Sequence, residues 1–141
     1  MACVLRAFGA GFDVDGFLTG SPFRPCAVFR RGQPRTSASK RLCEQGGFHL
    51  EVSPEEGDCV PAQVRDATAF VASHRAELER LAAWPGVESV RLDFSWDFPR
   101  GNVAGQWNLF PSALLAACGA LRVDIIVSVY SASNGEGEGA D

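Results

Sequence analysis

Residues 89–97 read SVRLDFSWD, and apolar and polar side chains alternate along them without a break. A period of two is that of a β-strand with one buried face and one polar face. Residues 48–53, FHLEVS, alternate in the same way. The apolar positions are Val90, Leu92, Phe94, Trp96, Phe48, Leu50 and Val52, and the polar positions are Ser89, Arg91, Asp93, Ser95, Asp97, His49, Glu51 and Ser53. The sequence therefore predicts two half-buried strands in a sheet whose second face is polar.

The segments around these two strands predict the rest of an α+β domain. Residues 61–84 carry an apolar stripe at helical spacing and end at Pro85 and Gly86, so they predict one long helix. Further strands are predicted over residues 2–8, 26–31 and 123–130, and short helices over residues 14–18 and 111–118. The order β-α-β-β-α-β-α-β predicts an open-faced sandwich, with one mixed or antiparallel sheet of about five strands, helices on one face and a ferredoxin-like character.

Length and composition indicate a single packed domain. The chain has 141 residues, of which 46% are hydrophobic and 21% are charged, enough to bury one core without disulfide or metal staples. We expect one domain over residues 1–131 and a disordered acidic tail over residues 132–141. Neither a secretory signal nor a membrane span is expected, and five cysteines without a CxxC pair suit reduced thiols. A cytoplasmic location is expected, and twelve arginines against one lysine favour a bacterial origin.

Positive charge is concentrated in one segment. The net charge is −4, yet the stretch from Arg24 to Arg41 carries six basic residues and no acidic one. The rest of the chain holds 7 basic and 17 acidic residues, a net charge of −10, which should repel nucleic acid and membranes. Residues 32–44 have no apolar periodicity and predict an exposed loop. Three candidate contacts for a protein partner are Arg30, Arg31 and Arg35, although a solvated arginine-rich loop explains the same pattern.

The polar face of the predicted sheet offers a second candidate site. His49 and Glu51 share this face, and Arg91 and Asp93 join them if the two alternating strands are neighbours. Such a group of side chains suits the binding of a small polar ligand, or acid–base work. The alternative is that these charges only keep an open sheet face soluble.

Residues 12–20, FDVDGFLTG, resemble the first motif of the haloacid-dehalogenase-like phosphatases. The resemblance implies Asp13 as the nucleophile and Asp15 as the acid or base, both beside a magnesium ion. The only lysine, Lys40, precedes any second motif, and the further acidic pair of that family is missing. A turn with Asp13 as the cap of a short helix is the favoured interpretation. Zinc-ligand spacing and a nucleotide loop are also missing, so the sequence predicts no catalytic residue, no metal site and no cofactor.

Landmarks spaced over residues 4–130 carry a second resemblance. They are FRRG at 29–32, GF at 47–48, VS at 52–53, QVRD at 63–66, Phe70, HRAELERL at 74–81, LDF at 92–94, FP at 110–111 and SVY at 128–130. They are similar to those of a family of small bacterial domains of unknown function, some of which are regarded as immunity proteins of polymorphic toxins. The resemblance implies a protein-binding module with a cognate toxin as its partner.

Three functions of different classes therefore stand as hypotheses. The first is a non-catalytic protein-binding module of the immunity type, whose acidic surface imitates nucleic acid before a basic nuclease. The second is a small-ligand binder that uses the polar sheet face, and the third is a remnant of a haloacid-dehalogenase-like phosphatase. We expect the protein not to be an enzyme. Neither the identity of a partner nor the oligomeric state follows from the sequence.

Overall fold

The computed structural model describes residues 3–97 and 105–131, which contain five strands and four helices. The strands are β1 (Cys3–Gly9), β2 (Ala27–Phe29), β3 (Gly46–Ser53), β4 (Ser89–Asp97) and β5 (Asp124–Tyr130). The helices are α1 (Val14–Thr19), α2 (Val60–Ser73), α3 (Arg75–Ala83) and α4 (Ser112–Ala120). The expected acidic tail, residues 132–141, lies outside the described residues.

The strands form one sheet in the order β2-β3-β1-β4-β5. β1 runs antiparallel to β3 and to β4 on its two sides, β2 runs antiparallel to β3, and β5 runs parallel to β4. The first four strands thus have the ferredoxin-like arrangement, and the crossover through α4 adds β5 beyond β4. The predicted α+β sandwich with one mixed, five-stranded sheet is confirmed.

The core lies on one face of this sheet. β1 contributes Cys3, Leu5 and Ala7, all fully buried, because every second residue of a strand points to the same side. Leu92 and Phe94 of β4 are fully buried as predicted. The helices pack on the same face through Val14, Phe17, Val64, Ala67, Val71, Leu78, Leu81, Leu114 and Cys118. None of the four described helices covers the opposite face of the sheet, the open face.

The long helix predicted over residues 61–84 is in fact two helices, α2 and α3, with a break at His74. The backbone of His74 leaves the helical region, with φ −117° and ψ 27°. Its ring nitrogen Nδ1 lies 3.1 Å from the Phe70 carbonyl oxygen, and its ring stacks on the Phe70 ring at 4.5 Å. The His74 amide also donates to the Phe70 carbonyl oxygen, at 2.9 Å, so His74 ends α2 as its C-cap and is the N-cap of α3. The apolar stripe nevertheless continues through both helices.

Ser53 points towards the helices, and the prediction that it lies on the polar face is wrong. Cys3 pairs with Ser53, whereas the next residue of β1 pairs with Glu51, so Val52 is an extra residue in β3. A bulge of this kind reverses the alternation of side chains beyond it. The Ser53 hydroxyl donates to Asp66 Oδ2 on α2 at 2.7 Å, which ties β3 to the helix layer.

Residues 32–44 belong to the connection between β2 and β3, which is largely exposed, as predicted. β2 covers only residues 27–29 of the predicted strand over residues 26–31. Residues 30–38 are all exposed, and an isolated bridge joins Pro34 to Leu42. The loop therefore extends from the β2 edge of the sheet.

Candidate binding site on the open face

β1 lies between the two strands that carry the predicted residues of the open face. These residues are His49 and Glu51 on β3, and Arg91 and Asp93 on β4. β3 and β4 do not pair directly, contrary to the arrangement considered from the sequence. The centre of the face is Arg6 of β1, which lies opposite His49 on one side and Arg91 on the other. Sequence reasoning missed Arg6, and the signal for it was a lone charge inside an otherwise apolar strand.

Arg6 joins Asp93 and His49 into one polar cluster. Nε of Arg6 donates to Asp93 Oδ2 at 2.8 Å, and Nη1 lies 3.0 Å from Nε2 of His49. Ser128 of β5 donates to the second oxygen of the same carboxylate. These partners cover Asp93, so the side chain that the sequence predicted to face outward is only 11% exposed. Because both of its oxygens are bonded, the buried carboxylate is a fixed part of the sheet.

His49 is neutral at physiological pH. Burial, followed by the positive charges of Arg6 and Arg35, lowers its pKa from 6.5 to about 4. The ring packs edge-on against Phe29 with 5.4 Å between the ring centres. A neutral imidazole can accept the hydrogen bond of Arg6, and a base this weak takes up few protons at pH 7. His49 therefore positions the cluster and is a poor general base.

The free energy of unfolding should fall as the pH is lowered from about 6.5 towards 5, and His49 should be the cause. The unfolded chain protonates His49 near pH 6.5 and the folded chain only near pH 4, so the unfolded state binds more protons within this window. For one group the slope is at most about 1.4 kcal/mol per pH unit, and the partial exposure of the ring reduces it. Denaturant titrations of the wild type and of His49→Gln measure the difference. Equal slopes in the two proteins would contradict the lowered pKa.

The other two predicted residues of this face stand outside the cluster. Arg91 lies over the Phe8 ring at 4.8 Å, and its Nε donates to the Ser89 hydroxyl at 2.8 Å. Glu51 is exposed at the margin of the face. The side chains that meet on the open face are therefore Arg6, His49, Asp93 and Ser128, of which the sequence predicted His49 and Asp93.

A cavity of about 320 Å³ opens beside the cluster, at the end of the sheet where β3, β4 and β5 all finish. Buried Val4 lines it together with Arg6 and Asp93. Glu56 and Asp97 supply two further carboxylates. Three carboxylates face one guanidinium group, so the cavity favours a cationic group.

Further carboxylates lie near the same end of the sheet, Glu51 close to the end of β3 and Glu55 and Asp58 in the loop that follows this strand. Together with Glu56 and Asp97 of the cavity they are named the acidic rim. Gln63 of α2 holds the loop after β3 in place, because its Nε2 donates to the carbonyl oxygens of Glu56 and Ser95, both at 2.8 Å. The Asp97 amide donates to the Gly57 carbonyl oxygen at 3.1 Å. The rim is therefore built on backbone that is fixed to the sheet and to α2.

The predicted arginines of the basic segment lie at the β2 edge, away from the acidic rim. Arg30 forms a two-pronged ion pair with Asp15, at 2.7 and 2.8 Å, and this hydrogen-bonded contact lowers the pKa of that carboxyl group. Arg31 donates to a backbone carbonyl group at 3.3 Å, and Arg35 lies over the Phe29 ring at 4.6 Å. All three arginines therefore contact groups of the protein itself.

The phosphatase-like motif forms the capped start of a helix. Asp13 is the N-cap of α1, and its Oδ1 accepts a hydrogen bond from the Gly16 amide at 3.1 Å, as the turn interpretation predicted. The second carboxylate of the motif, Asp15, is held by Arg30. Within the described part of the chain, no group of three or more His, Cys, Asp or Glu side chains is placed to hold a metal ion. Both aspartates therefore have structural partners.

Comparisons with protein-family models, with curated proteins and with solved structures found no match to this chain. None of the helices in residues 3–97 and 105–131 is long and apolar enough to cross a membrane. All five cysteines are free thiols. Function is therefore inferred from the geometry of the open face and its acidic rim.

Proposed function

We propose that the protein is a non-catalytic protein-binding module, and that it binds a basic partner protein at the acidic rim. The observation that carries this proposal is the cavity beside the rim, in which three carboxylates face the single guanidinium group of Arg6. The described helices pack on the opposite side of the sheet, so a macromolecule can approach this side. A surface of this charge attracts basic partners and repels acidic ones.

One arginine or lysine side chain of the partner would fill the cavity. A volume of about 320 Å³ lies at the lower end of the range for small-molecule sites, which suits one long side chain better than a cofactor. Buried Val4 offers an apolar surface to the methylene groups, and Glu56 and Asp97 pair with the charged end. Arg6 already pairs with Asp93, so the incoming cation leaves that ion pair intact.

The backbone of the acidic rim is preorganised for binding. Gln63 is fully buried and fixes the loop after β3 to β4 through Glu56 and Ser95. Gly57 fits tightly against Asp97, since a Cβ atom at this glycine would lie 2.4 Å from Oδ1 of that carboxylate. A loop whose backbone is already fixed loses little backbone entropy on binding, which favours affinity.

Contacts at the candidate catalytic residues favour a role without chemistry. The Asp13 carboxylate caps α1, and the Asp15 carboxylate is paired with Arg30. The pKa of about 4 leaves His49 a weak base at pH 7. A remnant of a phosphatase is accordingly the least supported of the three hypotheses.

An immunity protein is the specific kind of module that the sequence resemblance implies. A toxin that cleaves nucleic acid binds phosphates with a basic surface, and a rim of carboxylates competes for that surface. Outside residues 24–41 the chain has a net charge of −10, which accelerates the encounter with a basic protein. A cytoplasmic location and a bacterial toxin as partner belong to this proposal.

A small cationic ligand is the second candidate, because the same cavity lies within the size range of small-molecule sites. An alkylamine or alkylguanidine would use the same carboxylates and the same apolar wall. In that case the cavity alone binds, and the exposed rim residues Glu51 and Asp58 contribute only long-range attraction. The two candidates thus differ in how much of the rim takes part.

Site-specific crosslinking in cells, followed by reconstitution, tests the proposal. A photo-crosslinking amino acid in place of Glu51 should capture the partner, whereas the same amino acid in place of Glu79 should not. Glu79 is a matched control, because it is an exposed glutamate on α3 that pairs with Arg75. The captured protein, once purified, should bind the doubly substituted chain Glu51→Gln, Glu56→Gln at least about 10-fold more weakly than the wild type. Glu79→Gln should leave the dissociation constant unchanged, and added salt should weaken wild-type binding.

Two outcomes would contradict the acidic rim as a protein-binding surface. One is equal capture from the two crosslinking positions, and the other is equal dissociation constants for all variants. Butylguanidinium is the probe for the second candidate, and its micromolar binding at the cavity without any protein captured at Glu51 would favour a small ligand. For an immunity protein, co-expression with the captured toxin should restore growth only while the rim is intact.

A further inference from the structure

β5 is an edge strand of the described sheet. It pairs with β4 along all seven of its residues, from Asp124 to Tyr130, and no other strand of the described residues pairs with it. Alternate amide and carbonyl groups of an edge strand point away from the sheet and can pair with a further strand. The sheet can therefore be extended at β5.

β5 lacks the features that usually protect a strand edge. Its sequence, DIIVSVY, has one charged residue, at its beginning, and no proline, lysine or bulge. The opposite edge strand, β2, is only three residues long and is flanked by Pro25 and by the ion-paired Arg30. An edge that is long, regular and nearly uncharged is a template for another chain, and only β5 has these properties among the described strands.

The part of the chain that carries β5 is neutral and exposes apolar side chains. Residues 105–131 contain one basic and one acidic residue, Arg122 and Asp124, in a protein that is acidic overall. Of the six exposed large apolar side chains in the described residues, five belong to this part, namely Trp107, Leu109, Leu115, Val129 and Tyr130. Exposed apolar groups concentrated in one region mark an interaction surface.

We infer that β5 pairs with β5 of a second copy of this chain, in antiparallel orientation, and forms a homodimer with a continuous ten-stranded sheet. The distribution of charge favours a second copy of this chain as the partner strand. Two acidic copies repel each other at most of their surfaces, but at the neutral β5 edge no like charges face each other. A basic protein is drawn to the acidic rim and gains no electrostatic attraction at this neutral edge. A two-fold axis perpendicular to the sheet relates the copies, so both open faces lie on the same side.

The register centred on Val127 is the one that pairs all seven residues of both strands. In an antiparallel pair, residues directly opposite each other share a face of the sheet. Ile125 then lies opposite Val129, and Val127 lies opposite its own copy, so that the six side chains form one apolar stripe. Val129 is 59% exposed in the single chain and becomes covered. On the other face, Asp124 lies opposite Tyr130, so no two like charges meet.

Sedimentation equilibrium of the full chain tests the dimer. The mass of the wild type should approach twice 15.1 kDa as the protein concentration rises. Val129→Lys places an ammonium group in the apolar stripe and should raise the dissociation constant of the dimer at least about 10-fold. The circular dichroism spectrum should not change, because Val129 is exposed in the single chain. Leu42→Lys is the matched control, since Leu42 is 55% exposed in the connection between β2 and β3, and it should leave the dimer intact.

Amide exchange gives a second measurement that needs no variant. Exchange in β5 should slow as the concentration rises, while exchange in β2 should not. A wild type that stays at 15.1 kDa would overturn the pairing. A dimer that survives in folded Val129→Lys, or exchange in β5 that does not depend on concentration, would also overturn it.

Discussion

Phe94→Ala is expected to lower the free energy of unfolding by about 3–5 kcal/mol, the range for a fully buried aromatic residue. Phe94 is 0% exposed, and its ring meets the Phe110 ring edge-on with 5.0 Å between their centres. Removing the ring leaves a cavity under the sheet and removes the contact that holds the segment before α4. Denaturant unfolding of the two proteins at the same protein concentration measures the loss, because the proposed dimer would make the apparent stability depend on concentration.

Leu109→Ala is the matched control for this experiment. Leu109 is 73% exposed and directly precedes Phe110, so its truncation should change the free energy of unfolding by less than about 0.5 kcal/mol. Similar losses from Phe94→Ala and Leu109→Ala would contradict the burial of Phe94 in the core.

Gln63→Ala should cost about 3 kcal/mol of unfolding free energy, because one buried amide group satisfies three backbone groups. Its Nε2 donates to the carbonyl oxygens of Glu56 and Ser95, and its Oε1 accepts from the Ser95 amide at 3.2 Å. Each buried group that loses its partner costs about 1–3 kcal/mol, and the truncation also leaves a cavity. Denaturant unfolding measures the total. Amide exchange should become faster in the loop after β3, which the side chain holds against β4.

Two further variants separate the hydrogen bonds of Gln63 from its packing. Gln63→Met keeps most of the volume and removes the hydrogen bonds, so it should still cost about 2 kcal/mol. Arg65→Ala is the control on the same helix, at a side chain that is 69% exposed, and should cost under about 0.5 kcal/mol. If Gln63→Met were as stable as the wild type, the Gln63 side chain would contribute only through packing. Its three hydrogen bonds would then contribute nothing to stability.

Features that depend on neighbours in the chain could be predicted from the sequence. The alternation in residues 89–97 correctly assigned Leu92 and Phe94 to the core, because the strand period alone decides which side chains share a face. The cap at Asp13 followed from a short polar side chain placed before a helical turn. The exposed basic segment followed from its lack of apolar periodicity.

The candidate site was predicted only in part. The open face and two of its residues, His49 and Asp93, were identified, but their shared partner Arg6 was not. Arg6 belongs to a different strand, and no local pattern states which strand lies in the middle of a sheet. The hydrogen bonds from Gln63 to the loop after β3 and to β4 were missed for the same reason, since Ser95 is 32 residues away in the chain.

The sequence by itself determined the class of fold, the buried face of each alternating strand, the helix cap and the uneven distribution of charge, because these depend on residue types and on spacings of a few residues. Only the tertiary structure decided that β1 separates β3 from β4, that a bulge at Val52 turns Ser53 inward and that β5 lies at an edge of the described sheet. Strand order and register depend on contacts between segments distant in sequence. Sequence periodicity indicates which side chains can be buried. Which of these side chains contact one another depends on which of the possible strand pairings is the most stable.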